Sequence, residues 1–148
     1  MLKDFSILIK EEVKENATKE KKLIKEIVKK YSLELLLLFG SRISGKLHKE
    51  SDFDIAYLSK KELDLMEEAK LICDLMPAFK SEKIDLVNLK KASPLLLFGI
   101  TQNCQILYQR NPIVFPALRV YAFKKYIETK PLYEEKFGRL KERLKKIK

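Results

Sequence analysis

The stretch that decides the fold reads LLLLFGS over residues 35–41 and, after ten further residues, DFD over residues 52–54. The apolar run from Leu33 to Phe39 is short and is stopped by a glycine, which favours a buried strand, although its leucine content leaves a helix open. In a strand, positions i and i+2 face the same way about 6.5–7 Å apart, so Asp52 and Asp54 are expected to project together. Such carboxylates can share two Mg²⁺ ions about 3.5–4 Å apart.

The remaining pattern alternates helical and extended segments. Residues 52–58 are predicted to form a second strand whose opposite, packed face carries Phe53, Ile55 and Tyr57. The first thirty residues have helical spacing that is interrupted near residues 16–18. The other predicted elements are a helix over 61–79, a strand over 84–89, a short helix opening at 93–94, a strand over 104–108 and a helical region from 112 onward.

Length and composition set the class of protein. We expect the 148 residues to form one domain, 1–148, large enough for a core without disulfides or structural metal. The two cysteines, Cys73 and Cys104, lie in apolar stretches without metal-ligand spacing, so both are predicted to be reduced core thiols. No apolar run approaches the roughly 20 residues of a membrane span, and the first residues lack a leader pattern. The expected location is therefore cytoplasmic.

The net charge of +10 is unevenly distributed. Residues 1–30 carry nine lysines against six acids, residues 31–118 balance eleven against eleven, and residues 119–148 carry eleven against four. A balanced centre suits a carboxylate site whose charge is met by metal. The basic end could face RNA, an acidic partner or only solvent.

An apolar stripe runs along this basic end. Tyr133, Phe137, Leu140, Leu144 and Ile147 recur at spacings of four, three, four and three, as on one face of a helix. The stripe either packs on its own domain or is offered to the groove of a partner.

Two other motifs overlap the central stretch. Residues 40–46 read GSRISGK, which is nearly a phosphate-binding P-loop. The next residue is Leu47, where a P-loop needs Ser or Thr to hold Mg²⁺, so we do not favour this interpretation. Arg42 and His48 form an R-x5-H pair of the kind seen in helical ribonucleases, but a strand and loop do not suit an all-helical site. Because His48 is the only histidine, histidine-dependent triads and most zinc sites are not expected.

A third acid follows in the sequence KIDLV over residues 83–87. Asp85 lies in an otherwise apolar predicted strand, where an uncompensated carboxylate is costly to bury. Either a cation meets this carboxylate, or Lys83 pairs with it, or the strand is misassigned.

These residues together resemble the nucleotidyltransferase superfamily typified by DNA polymerase β, and in particular its small minimal nucleotidyltransferase (MNT) proteins. The family signature is G-S-x10-D-x-D, which Gly40, Ser41, Asp52 and Asp54 match, and Asp85 fits the later acid on a neighbouring strand. The resemblance covers roughly residues 20–110. It implies an α+β fold in which a small mixed sheet is flanked by N- and C-terminal helices, with a catalytic core about 31–110 and a C-terminal helical extension about 112–148.

The resemblance also implies transfer of a nucleoside monophosphate from a nucleoside triphosphate, by in-line attack on the α-phosphate. Asp52 and Asp54 would hold two Mg²⁺ ions, while Asp85 would ligate the catalytic ion and help to activate the attacking hydroxyl.

The remaining motif residues are candidate cofactor-binding residues. Gly40 would let the backbone approach the triphosphate, Ser41 would donate a hydrogen bond to phosphate, and Arg42 is a candidate phosphate contact. Lys46 is a weaker candidate for the same role.

The chain thus resembles MNT antitoxins, which neutralise a HEPN-domain ribonuclease toxin by adenylylating one of its tyrosines. The expected donor is therefore ATP, the expected acceptor is a protein hydroxyl, and the expected partner is a HEPN toxin. An RNA or small-molecule nucleotidyltransferase, or a non-catalytic antitoxin that acts by binding, remains an alternative.

Overall fold

The computed structural model describes residues 18–41, 43 and 52–147. This part of the chain contains four helices and four strands, which confirms the predicted α+β class. The elements are α1 (18–31), β1 (Leu33–Phe39), β2 (Phe53–Ser59), α2 (Leu65–Phe79), β3 (Ile84–Asn88), α3 (Pro94–Gln102), β4 (Cys104–Gln109) and α4 (Val114–Ile147).

The four strands form one mixed sheet in the order β3-β2-β1-β4. Strand β1 pairs antiparallel with both β2 and β4, whereas β2 and β3 run parallel. A parallel pair requires a crossover connection, which α2 supplies. Strand β3 is consequently an edge strand that lies directly beside β2.

Strand β1 is central and is covered on both faces. Leu35 and Leu37 pack in a cluster with residues of α3 and α4, while Leu36 and Leu38 pack in a second cluster with residues of α1 and α2. Since successive side chains of a strand point to opposite faces, a strand buried on both faces needs an uninterrupted apolar run. The run of four leucines is therefore a buried strand, as predicted.

The side chains of strand β2 alternate between the two faces of the sheet. Phe53, Ile55 and Tyr57 contact the cluster under α1 and α2, and Ala56 belongs to the cluster under α3 and α4. Asp54 shares the face of Ala56 because the two are two residues apart in one strand. The predicted packed side is confirmed, but the side that carries Asp54 is also packed beyond this residue, through Ala56 and Leu58.

Several element boundaries differ from the prediction by one to four residues, and two of them bear on the site and the core. Helix α2 begins at Leu65 rather than near residue 61, because the Asp64 side chain caps it by accepting a hydrogen bond from the Glu67 amide at 2.7 Å. Leu63 is nevertheless buried, since it enters the core from the preceding extended chain. Strand β2 begins at Phe53, so Asp52 lies just before it.

The assignment of both cysteines to the core is wrong for Cys73, which is exposed, and Cys104 is half-buried. Within α2 the inward positions are Leu71 and Leu75, and a residue two places from either one points away from the core. Both thiols are free, and burial raises the pKa of the Cys104 thiol.

Helix α4 is far longer than the surface it covers. Ala122 is its one buried residue, and every residue from 134 to 147 is exposed. Phe137, Leu140 and Leu144 are each more than half exposed, so the C-terminal part of the predicted stripe is not buried against the part of the domain that the structure describes. Across residues 18–41, 43 and 52–147, no helix combines the length and the apolar character needed to span a membrane.

Candidate active site

The site is built where β1 ends and β2 begins. Phe39 is the register partner of Asp54, and Gly40 follows with a φ of 84°. A β-carbon added at Gly40 would lie 2.0 Å from Oδ2 of Asp54 and 2.8 Å from its Cγ. A side chain at position 40 would therefore force the Asp54 carboxylate to move, and the positive φ also disfavours residues other than glycine.

Asp85 is brought beside Asp54 by the parallel pairing of β2 and β3. The two aspartates are register partners, as are Ile55 and Leu86 after them. Asp85 lies on the edge strand and is exposed, so the expected cost of burying its carboxylate does not arise. The strand assignment is correct, whereas the argument from burial is wrong. The position of Asp85 opposite Asp54 is what makes it a candidate.

Asp52 is exposed and lies immediately before β2. The Phe53 amide donates a hydrogen bond to the Lys83 carbonyl at 2.8 Å, which ties the start of β2 to the start of β3. All three aspartates thus belong to the same edge of the sheet. Because Asp52 precedes the strand, the strand pleat does not fix the direction of its side chain.

The three carboxylates interact electrostatically. Burial raises the pKa of Asp54, and the negative charges of Asp85 and Asp52 raise it further. A cation would relieve this repulsion, and carboxylate oxygens are the ligands that Mg²⁺ prefers. In the described part of the chain, no three Asp, Glu, His or Cys side chains already converge closely enough to enclose a metal ion. The donor chemistry therefore fits magnesium, and the ligand set stays a prediction.

The turn after β1 carries the other motif residues. Ser41 follows Gly40 directly, and the Ile43 amide donates a hydrogen bond to the Gly40 carbonyl at 3.1 Å. Arg42 lies outside the described residues, as does the segment 44–51 that contains the near P-loop and the R-x5-H histidine. The role of Arg42 and the P-loop and ribonuclease-like interpretations therefore remain predictions from the sequence.

A cavity of about 340 Å³ adjoins Gly40, and the sequence alone did not indicate it. Helix α3 forms its other wall, and this helix is capped by Ser93, whose side chain accepts a hydrogen bond from the Leu96 amide. The cavity is lined by Phe39, Gly40, Leu95, Leu96, Gly99, Ile100 and Asn103. The pentapeptide LLLFG occurs at residues 36–40 and again at 95–99, but the repeat does not indicate that the two copies pack beside each other.

Comparison with known proteins gives a consistent result. The family model described as Polymerase beta, Nucleotidyltransferase, matches residues 21–113, a range that contains Gly40 and all three aspartates. The protein adenylyltransferase MntA of Shewanella oneidensis is 40% identical over 81 residues, which are 55% of this chain and 56% of that protein. The MntA of Aphanizomenon flos-aquae is 33% identical over 86 residues, 52% of this chain and 57% of that protein. The chain spans about half the length of the curated relatives it matches.

Solved structures show the same fold. A toxin-antitoxin crystallised with AMP-PNP superimposes with a TM-score of 0.71 and 25% identity, covering 81% of this chain and 97% of that chain. A tri-AMPylated Shewanella oneidensis HEPN toxin in complex with MNT antitoxin gives a TM-score of 0.66 and 23% identity, over 83% of this chain and 97% of that chain. With the family model covering more than half of its residues, this chain belongs to the polymerase beta nucleotidyltransferase family.

Proposed function

We propose that this protein is a protein adenylyltransferase that transfers AMP from ATP to a tyrosine hydroxyl of a HEPN-domain toxin and thereby acts as its antitoxin. The observation that carries the proposal is the contact of Gly40 with Asp54, with Asp85 in register beside it. This arrangement joins the two halves of the nucleotidyltransferase signature at one edge of the sheet. The similarity to MntA adenylyltransferases and to an AMPylated toxin complex supports the acceptor.

The proposed cofactor is Mg²⁺, as two ions held by Asp52, Asp54 and Asp85. When bound, it supplies positive charge that orients the triphosphate and stabilises the charge that develops during transfer. The raised pKa of Asp54 supports this assignment, since neighbouring negative charge without a cation disfavours the ionised carboxylate.

The residues of the chain divide the remaining tasks. Gly40 presents an open backbone to the phosphates, Ser41 donates to a phosphate oxygen, and Arg42 offers its guanidinium to the triphosphate. Asp85 accepts the proton of the attacking hydroxyl, and its exposure on an edge strand leaves it reachable by a second macromolecule.

AMP transfer takes place in a single displacement step. A bond forms between the tyrosyl oxygen and the α-phosphorus of ATP, and the bond from that phosphorus to the oxygen of the β-phosphate breaks. Pyrophosphate leaves, and the tyrosyl proton passes to Asp85. Because ATP is the donor, we place the reaction in the cytoplasm.

The test is incubation of the protein with Mg²⁺, ATP labelled at the α-phosphate, and the HEPN-domain protein of the same organism. We expect label on the HEPN protein, and its loss in Asp52→Asn and Asp54→Asn. Glu62→Gln is a matched control, because it also neutralises an exposed carboxylate but lies beyond the far end of β2.

Other outcomes would identify the alternatives. Label on added RNA, with none on the HEPN protein, would show an RNA nucleotidyltransferase. Silencing of the HEPN protein by Asp54→Asn as effectively as by the native chain would show that binding suffices and would contradict a catalytic antitoxin.

A further inference from the structure

Within residues 18–41, 43 and 52–147, no other element covers the C-terminal part of α4. Residues 134–147 are all exposed and extend about 21 Å at the usual helical rise. Helices of this length are marginal on their own in water and depend on packing of an apolar face. The face is present, since Phe137, Leu140 and Leu144 recur at spacings of three and four and are 51–58% exposed.

This face is continuous with the candidate active site. A cavity of about 570 Å³ is formed between Leu95 of α3 and the side chains of α4 around Tyr133, Phe137 and Leu140. Leu95 also lines the cavity that adjoins Gly40. Through Leu95, the two cavities together form a surface that extends from Gly40 across α3 to the α4 side chains as far as Arg143. We call this surface the tail face and define it as Leu95, Tyr133, Phe137, Leu140, Leu144 and Ile147.

The tail face has a basic border. Lys136 and Arg143 line the same cavity and flank the stripe by helical periodicity. Arg139 is already paired with Glu135 at 2.6 Å. Over residues 134–147 there are six lysines and arginines against three glutamates. A second copy would bring the same positive border against itself, whereas an acidic surface would be attracted.

We infer that the tail face docks the acceptor protein through an acidic amphipathic helix of that protein. Apolar residues at spacings of three and four pack against a matching stripe of another helix, and the basic border pairs with its flanking acids. Docking at this surface brings the acceptor against the same side of the sheet as Asp54 and Asp85. The inference rests on the proposed function, because it supplies that reaction with its macromolecular substrate.

Two double variants test the two components of the surface. Leu140→Gln/Leu144→Gln removes apolar area, and Lys136→Glu/Arg143→Glu reverses the border; both keep residues with good helix propensity at exposed positions. Lys145→Glu/Lys146→Glu is the matched control, because it changes the net charge equally at two positions that face away from the apolar stripe and do not line the cavity. The HEPN-domain protein of the same organism is the probe.

Binding and chemistry are measured separately. Binding is measured by calorimetry in an Asp54→Asn background, and AMP transfer is measured with intact aspartates over a range of acceptor concentrations. We expect both test variants to weaken binding at least about tenfold and to raise the KM for the acceptor similarly, with kcat nearly unchanged. The control should stay within about twofold of the native chain.

This design separates the inference from the proposed function. Loss of binding in the test variants without any AMP transfer by the native chain would support docking and overturn the reaction. Efficient transfer to a tyrosine with equal KM in all variants would support the reaction and overturn docking.

Hydrogen exchange identifies other occupants. Amides of residues 134–147 should exchange rapidly in the free chain and become protected when the acceptor is added. Protection in the dilute free chain would show that the tail face is already covered by the chain itself. The inference would also be overturned if the free chain formed a dimer that Leu140→Gln/Leu144→Gln abolishes. Binding of the chain to anionic vesicles, or to RNA, in preference to the acceptor would overturn it as well.

Discussion

Gly40 and Asp54 meet across the β1–β2 pair so closely that a side chain at position 40 would collide with the Asp54 carboxylate. The sequence suggests that Gly40 lets the backbone approach a triphosphate. The structure gives the glycine a second role, which is to make space for the carboxylate of a proposed metal ligand. Both roles require a bare backbone at the end of β1.

Gly40→Ala is expected to abolish most AMP transfer. The added methyl group would lie 2.0 Å from Oδ2 of Asp54, so the carboxylate must move. The φ of 84° adds a cost of about 1–2 kcal/mol for a residue with a β-carbon. Urea unfolding and labelled-ATP turnover measure the two effects.

Gly138→Ala is the control for this substitution. Position 138 lies inside α4, and a β-carbon there would meet nothing within 4 Å. We expect a gain of about 0.5–1 kcal/mol in stability from the better helix former. Full activity of Gly40→Ala would contradict the steric role of this glycine.

Asp54→Asn is expected to stabilise the protein in metal-free buffer while removing its activity. Burial and the charges of Asp85 and Asp52 raise the pKa of Asp54, so at neutral pH its ionised form costs folding free energy. Because Asp54 is partly exposed, solvent screens these interactions, and the gain should stay below about 1 kcal/mol, or a few degrees in Tm. Thermal unfolding in EDTA measures it.

In Mg²⁺ the native chain should be more stable than Asp54→Asn, which is the reverse of the order expected in EDTA. A ligand that binds only the folded state raises its Tm, and the native chain should gain more from Mg²⁺ than Asp54→Asn does. A variant that is less stable than the native chain in EDTA would show that Asp54 is held by favourable contacts and not strained by its neighbours.

The pentapeptide LLLFG shows why local sequence predicts part of this fold and not all of it. At residues 36–40 it completes strand β1, and at residues 95–99 it lies in helix α3. The helix was predictable because Ser93 and Pro94 form a cap and a first turn before it. The strand was predictable because a glycine stops it. The meeting of both segments beside Gly40 depends on tertiary packing, which no local pattern encodes.

The candidate site, like the fold, could be predicted from the sequence only in part. The spacing between Gly40 and Asp54 indicated their joint role, because a hairpin-like pair brings both to one edge. The exposure of Asp85 did not follow from its apolar neighbours, since an edge strand can hold a carboxylate in solvent without cost. The sequence likewise did not decide whether the end of α4 is buried or exposed, because an amphipathic stripe does not specify which surface covers it.

Tyr57→Phe is expected to lower stability without changing activity. The Tyr57 hydroxyl, on a fully buried ring, donates a hydrogen bond to Oε1 of Glu68 at 2.5 Å. Burial and this bond raise the pKa of Tyr57. Its loss leaves the half-buried Glu68 without this donor, which we expect to cost about 1–2 kcal/mol.

Denaturant unfolding measures the cost, and a cycle with Glu68→Gln isolates the pair. Turnover should be unchanged because Tyr57 lies on the face of the sheet opposite Asp54. An equal loss of kcat would link that face to the site and contradict the separation of the two faces.

Tyr31→Phe is expected to destabilise the protein in a pH-dependent way. The Tyr31 hydroxyl and the Lys30 ammonium both donate to Oδ2 of Asp74, at 2.6 and 2.9 Å, and so join α1 to α2. The Tyr31 hydrogen bond, with help from Lys30, holds the pKa of Asp74 below its usual value. At pH 7 we expect a loss of about 1 kcal/mol, because Asp74 is partly exposed.

The pH dependence follows from the lowered pKa of Asp74. Its stabilising effect is complete above the ordinary carboxyl pKa of about 3.9 and is lost as the pH falls through the lower value of the folded state. The difference between Tyr31→Phe and the native chain should therefore shrink below about pH 4. Urea unfolding at pH 7, 5, 4 and 3 tests this, with Lys91→Gln as a control for an exposed pair expected to change stability by less than about 0.5 kcal/mol. A difference that stays constant down to pH 3 would show that Tyr31 stabilises the helix pair by packing alone.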